Sequence, residues 1–459
     1  MGEHEIVIVW FDRDLRVADH LALTRACGVA DVVVPLFVDD EPQDGWPRSK
    51  RQSIWLRRSL EALGEALRER GSSLIFRRGS SAEVVPQVAK EVGAQLVIWN
   101  RRYRPGLRRR DKHVSRALRE IGIEVETTSG RLLHEPEEIR TTTGGPYHVF
   151  TPFWRKFQKV VDVFEPLDEP ELGPEKAPST WPKSDGLDAI SKAGEASWLE
   201  YWQPGEEGAR KTLERFVESG LADYVECRDR PDRTGTSRLS PHLRFGEVSP
   251  RQVWQAVGGA EEFRRQLVWR EFSYHLLHHY PHTAEEPLRE KFKDFAWRDD
   301  EEGFERWKNG ETGYPIVDAG MRQLRETGWM HNRVRMIVAS FLTKDLLIPW
   351  QKGARWFWEN LVDADLANNT MGWQWSAGCG ADAQPFFRVF NPVKQGKRYD
   401  PDGEYVRRFV PELEGLSGSS IHAPWEASTQ ELAGTNYPEP IVDHGEAREI
   451  ALNLYNEIK

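Results

Sequence analysis

A change in periodicity part-way along the chain constrains its fold more than any other feature. Short apolar runs at residues 5–10, 32–38, 73–76, 95–99 and 124–127 alternate with amphipathic stretches around 20–28, 50–70, 81–93 and 107–121. Strands that are largely apolar, each followed by a helix, are buried on both faces. That pattern predicts an α/β domain over residues 1–131, built on a doubly wound parallel five-stranded sheet. From 198 to 459 the spacing is helical and strand-like runs nearly vanish, which predicts an all-α domain. Residues 132–197, rich in Pro, Glu, Gly and Thr, read as a connector with one short helix near 151–161.

Bulk properties narrow the function classes. A chain of 459 residues can build two or three cores. The net charge is -10, so nucleic-acid binding would need a local basic patch. Cys27, Cys227 and Cys379 lie far apart without a C-x-x-C, which argues against disulfides and a four-cysteine cluster. No run approaches the apolar length of a membrane span and the N-terminus lacks a signal peptide's apolar centre, so a cytoplasmic monomer without a membrane partner is expected. No G-x-G-x-x-G follows the first strand. His275, His278, His279 and His282 have zinc-like spacing, but no carboxylate or cysteine completes a set. No metal is expected, and a solvated or groove-lining face is the plainer reading. The basic run from Arg101 to Lys112 suits an exposed helix face, or a grip on a folate tail or nucleic acid.

Chemistry-bearing residues concentrate in Asp363-Ala-Asp365-Leu-Ala-Asn368-Asn369-Thr-Met-Gly-Trp373-Gln-Trp375. Carboxylates and amides can grip the polar edge of an isoalloxazine; indoles stack on planar substrates or pass single electrons. Upstream, Tyr224-Val-Glu-Cys-Arg228 and Thr234-Gly-Thr236-Ser237-Arg238-Leu239-Ser240 put hydroxyls and a glycine before a helix. Such a turn suits a phosphate, and equally an ordinary N-cap. Gln266 and Trp269 share a helix face at i, i+3, suiting a base-sized pocket or simply a half-buried helix. Asn332 and Met336 share another at i, i+4, with Arg335 alongside. Of 19 tryptophans, 13 follow residue 196; most buried indoles are core, so position matters more than number.

Together these segments resemble the photolyase/cryptochrome family over nearly the whole chain. Ser376-Ala-Gly-Cys379-Gly-Ala-Asp382 and His242-Leu-Arg-Phe-Gly are most similar to its class III bacterial members. The resemblance implies FAD, with Thr236, Ser237, Leu239 and Ser240 at the pyrophosphate and Tyr224 and Trp329 among its contacts. It implies Arg335 paired with Asp363 beside the ring, Asp365 as a further contact, and Asn369 facing N5. Gln266, Trp269, Asn332, Met336 and Trp375 would contact the lesion, and Trp373, Trp350 and Trp297 would form a chain of indoles carrying electrons from flavin to surface. Arg228, Arg333, Arg388, Gln395 and Arg398 would hold the phosphates of UV-damaged DNA around a flipped-out base. The implied activity is light-driven splitting of cyclobutane pyrimidine dimers by an electron from photoexcited reduced FAD.

Two departures bear on that reading, and the Asn332–Met336 pair, the cyclobutane-dimer pattern, weighs against the first. Gln266 stands where dimer-repairing members carry Glu; an amide donates a hydrogen bond but not a proton, so lower efficiency is expected. Members that repair the (6-4) lesion carry Gln there, yet they have histidines where this chain has Asn332 and Met336, one acting as proton donor. Two replacements against (6-4) chemistry outweigh one against dimer repair. The alternatives are a cryptochrome-type receptor with weak or no repair and, behind it, a (6-4) photolyase. Finally, Trp10-Phe-Asp-Arg13-Asp-Leu-Arg16 and Trp99-Asn100-Arg-Arg-Tyr103 resemble the family's antenna domain, but Arg104 replaces a common acid. A folate antenna (5,10-methenyltetrahydrofolate) therefore stays open.

Overall fold

Strands β1 (His4–Phe11), β2 (Ala30–Asp39), β3 (Ile75–Arg78), β4 (Leu96–Asn100) and β5 (Glu124–Thr128) form one sheet in the order β3-β2-β1-β4-β5. Every pairing is parallel, with Val9 of the central strand opposite Pro35 and Ile98. This computed structural model describes residues 3–41, 44–191, 196–383, 387–416, 418–428, 431 and 435–459. Helices α1 (Leu21–Val29) and α2 (Lys50–Glu69) pack with Val7, Val9 and Phe11, while α3 (Ser81–Val92) and α4 (Pro105–Glu120) pack with Ile8 and Trp10. Alternate residues of one strand thus serve opposite layers, as the two-residue period requires. The predicted doubly wound sheet is what the chain builds.

The connector is more than a tether. Its helix, Phe150–Val160, buries Phe150, Phe153 and Phe157 in one cluster with Phe263, Leu267, Val268 and Phe272 of the helical part. Beyond it the chain is helical, including Glu261–His279, Asn332–Ser340, Trp350–Asn360 and Leu366–Ala377. Among the described residues no helix is long and apolar enough to cross a membrane.

Buried charges join the sheet to the helices. Asp19, held at φ 52, accepts from Arg251 Nη2 at 2.7 Å, the Leu167 N–H at 2.9 Å and the Ser249 hydroxyl. Arg16 donates to the Gly246 carbonyl at 3.0 Å and the Gly130 carbonyl at 3.1 Å. Glu247 accepts from Trp55 Nε1 of α2 at 2.8 Å, from the Gly205 N–H at 2.9 Å and from Ser59, and meets His242 at 2.5 Å.

Two surface readings are corrected. Arg102 and Arg110 of the basic run lie over the Trp10 ring at 4.0 and 4.8 Å and pair with Asp12, and Arg104 pairs with Asp44. These three guanidiniums are buried and are neither an exposed face nor a free grip, while Arg101, Arg109 and Lys112 of the same run are exposed as expected. The gap beside Arg104 is about 30 Å³, room for a water or two. His275 is fully buried; its Nε2 accepts the Tyr147 N–H at 3.0 Å and its Nδ1 donates to the Pro136 carbonyl at 3.1 Å. It pins the connector and faces no solvent. Among the described residues no group of three or more His, Cys, Asp or Glu could hold a metal.

The Asp19 network yields a stability prediction. Asp19→Ala leaves Arg251 buried without its carboxylate and should cost about 3–5 kcal/mol, read as a lowered thermal midpoint.

Candidate active site

One cavity of about 670 Å³ opens in the helical part. It is bounded by the turn at Thr236–Ser240 and by the helices Glu261–His279, Asn332–Ser340 and Leu366–Ala377. All ten expected flavin contacts line it, from Tyr224 and the Thr236, Ser237, Leu239, Ser240 turn through Trp329, Arg335, Asp363 and Asp365 to Asn369. The five expected lesion contacts Gln266, Trp269, Asn332, Met336 and Trp375 line it as well, together with Trp373, Arg228, Arg333 and Arg388. Gln395 and Arg398 do not; they sit on the neighbouring helix Pro392–Tyr399.

Asp365 organises the wall. It is the N-cap of Leu366–Ala377, accepting the Asn368 N–H at 3.1 Å and Asn368 Nδ2 at 2.8 Å, and it takes the Tyr274 hydroxyl at 2.5 Å from the facing helix. Burial acts to raise its carboxyl; the Arg244 guanidinium, the Tyr274 bond and Arg270 outweigh that and hold it below the usual carboxylate range. Asn369 Nδ2 donates to the Ala354 carbonyl at 2.9 Å, which fixes the amide's orientation and leaves its oxygen as the acceptor available to the cavity. The helix Ser240–Phe245 has no side-chain cap, so the hydroxyl turn is not an ordinary N-cap; Ser240 Oγ instead accepts Trp329 Nε1 at 3.1 Å.

The donor set fits FAD. Arg335 Nη2 donates to Asp363 Oδ2 at 2.7 Å, while Asp363 Oδ1 is buried without a protein partner. Arg238 Nε and Arg244 Nη1 are buried and unpartnered too. Unmatched buried polar atoms are rare and costly in folded proteins, and here three surround one cavity. A flavin's imide edge and pyrophosphate supply the missing donors and acceptors. A Cβ added at Gly372 on this wall would meet nothing within 4 Å, which leaves room for a planar group.

Several site residues escaped sequence reasoning. Arg238, at φ 54, lies over the Trp202 and Trp329 rings at 4.5 and 5.1 Å, and burial pushes it down to about 10. Arg244 is likewise lowered to about 10 by burial. Lys344 lies on a π-helical turn, Phe341–Asp345, over the Phe387 ring at 3.6 Å; its Nζ donates to the Arg388 carbonyl at 2.9 Å, and burial pushes it down to about 7. An Arg-Leu-Ser turn and a Lys within an apolar helix carry no local mark of such burial. Arg228, Arg270, Arg333, Arg335 and Arg388 line the cavity as well. Although Arg228, Arg270 and Arg333 also pair with Glu262, Glu271 and Asp229, basic groups outnumber the lining carboxylates Asp363, Asp365 and Asp382, in a chain of net charge -10.

On the other side of the cavity, Trp269 stacks on Phe150 at 3.7 Å between centroids, with 8° between planes. Asn332 Nδ2 approaches Met336 Sδ at 3.9 Å, and Gln266 Nε2 returns one donor to the Glu262 carbonyl at 3.2 Å. Trp373 is buried edge-on to Phe357 at 4.9 Å and packs so closely on Gly353 that a Cβ there would fall 2.2 Å from its ring. That glycine brings Trp373 onto the helix that Trp350 begins, in the core that Trp297 packs against. At the rim, Arg333 pairs with Asp229 at 2.8 Å and shares the Tyr399 ring with Arg398.

Comparison with known proteins places the chain. Residues 7–171 match the family model described as DNA photolyase, and 263–457 that described as the FAD binding domain of DNA photolyase. A deoxyribodipyrimidine photo-lyase of Agrobacterium fabrum is 47% identical over 99% of this chain and 98% of its own. A class III photolyase structure from Agrobacterium tumefaciens superposes with a TM-score of 0.94 at 47% identity, covering 99% and 98%. An archaeal photolyase from Sulfolobus tokodaii, solved with two FAD molecules, gives 0.87 at 32% identity, covering 98% and 100%. Sheet, connector and basic cavity are those of a flavin-dependent light enzyme. The chain belongs to the photolyase/cryptochrome family.

His331 supplies a pH prediction. It is the N-cap of Asn332–Ser340, its Nδ1 accepting the Arg333 N–H at 3.2 Å, and burial lowers it from 6.5 to about 4. Between those values the unfolded chain binds a proton that the folded one does not, so stability falls as pH drops from 6.5 toward 4. The full contribution is about 3 kcal/mol. His331→Asn, which keeps a cap acceptor, should show a smaller fall in thermal midpoint across that window.

Proposed function

We propose that this protein repairs UV-damaged DNA by splitting cyclobutane pyrimidine dimers with light absorbed through FAD, acting as a cytoplasmic monomer. The observation that carries the reading is that the flavin-holding and lesion-contacting residues line one continuous cavity. Reduced FAD, when bound, supplies a photoexcited one-electron donor.

The protein's own groups hold, orient and shield. Asp363, Asp365 and Asn369 present acceptors to the ring edge, and Arg335 holds Asp363 in place. Thr236, Ser237 and Ser240, with Leu239, serve the pyrophosphate; Tyr224 and Trp329 complete that end. Trp269 and Trp375 flank the extruded dimer. Gln266 and Asn332 offer amide donors to its carbonyls, and Met336 gives a soft apolar contact. None of these three supplies the acid that (6-4) chemistry needs. Trp373, Trp350 and Trp297 are the oxidisable run from the cavity wall outward. Arg228, Arg333, Arg388, Gln395 and Arg398 hold phosphates in a sequence-blind, salt-dependent way.

The test is to illuminate reduced protein with blue light beside dimer-containing and, separately, (6-4)-containing oligonucleotides. Light-dependent loss of the dimer alone is expected. No restoration of either lesion would sink the repair reading and leave that of a receptor. Gln266→Glu should raise dimer repair about fivefold, about 1 kcal/mol, because a protonated carboxyl can donate both a hydrogen bond and its proton to a dimer carbonyl that gains charge when the electron arrives. An unchanged yield would count against the role given to that position.

A further inference from the structure

Trp269 has two faces, and one is already taken. Phe150, the first residue of the connector helix, is fully buried and lies flat against it, 3.7 Å between centroids and 8° between planes. The Arg265 guanidinium sits 5.6 Å from the Phe150 centroid. The main chain of Phe150 is tied as well: its N–H donates to the Asp382 carboxylate, and the Asp382 N–H donates to the His148 carbonyl at 3.2 Å. Asp382 itself is held at φ 53, a left-handed conformation that a non-glycine residue adopts at a cost. Asp382 and Trp269 both line the cavity, whereas Phe150 does not. An indole half-buried on one helix could tilt about its χ angles; a second ring flat against its back removes that freedom.

We infer that Phe150 is a positioning residue for lesion recognition: stacked behind Trp269 and anchored through Asp382, it fixes the plane on which the extruded dimer lies. This rests on the reading of Trp269 as a lesion contact. It assigns the connector, which comparison of composition alone would leave as a spacer, a part in telling damaged from intact DNA. Base–aromatic stacking is strong only when the platform is flat and already in place, so its loss should weaken damage recognition without touching the phosphate contacts.

The experiment measures equilibrium binding, in the dark, of the FAD-bound protein to one oligonucleotide with a single thymine dimer and to the same sequence undamaged. Phe150→Leu keeps an apolar side chain but removes the flat face. It should weaken dimer binding about tenfold while affinity for undamaged DNA and FAD content stay within twofold, so that preference for damage falls. Phe150→Tyr, which keeps the ring, should stay within threefold of the parent on both. The inference is overturned if F150L retains the parent's preference, if both affinities fall together, or if F150Y loses as much as F150L, which would assign the effect to buried volume. Should F150L purify without FAD, Asp382→Ala is read in its place on the same two oligonucleotides, with loss of preference supporting the inference and full preference overturning it. A parent protein that does not distinguish the two oligonucleotides would defeat the underlying repair reading instead, so the two failures are separable.

Discussion

The Asp365 carboxylate is the point on which the site depends. It starts the helix that carries Asn368, Asn369, Trp373 and Trp375, and through the Tyr274 hydroxyl it ties that helix to the one carrying Gln266 and Trp269. A single anionic group therefore sets the spacing of both walls. It can do so because Arg244 and Arg270 keep it ionised although it is buried. An N-cap bond is an ordinary device of about 1 kcal/mol. Here it is joined to a cross-helix bond and a buried cation, and its loss would move every group on the wall.

The sheet was legible because its signal is local. Residues that must fill both layers are apolar in succession, and the expected strands fall within two residues of those observed. β3 shows the limit: 73–76 was expected and Ile75–Arg78 is found, because Arg77 and Arg78 look like loop although Arg77 reaches Glu91 on α3. The connector shows a larger one. Its proline- and glycine-rich composition hides Phe150, Phe153 and Phe157, which enter a core made mostly by residues a hundred positions later.

In the site, the residues expected at the flavin and the lesion line one cavity, whereas Gln395 and Arg398 sit on a neighbouring helix. What the sequence could not convey was the state of each group. Nothing near Asn369 says that Ala354 will take its N–H, nor that Gly353 is bare to admit Trp373. Arg102 and Arg110 looked like a nucleic-acid grip and are consumed by Asp12 and Trp10, while Arg238, Arg244 and Lys344 looked unremarkable and face the cavity. A cation's role depends on which distant partner it finds, and only the folded chain settles that.

The buried polar joint between sheet and helices has a bearing on how a lesion is found. Asp19, Arg16 and Glu247 are buried and each is hydrogen-bonded across the joint, which ties the helical part that holds the cavity to the sheet. On the proposed repair function such a cavity is a preformed socket, and the nucleic acid would do the moving. Unpairing and unstacking are then charged to the duplex, least where damage has already weakened it. A socket of this kind, on that proposal, would screen DNA by its deformability before any side chain reads the lesion itself.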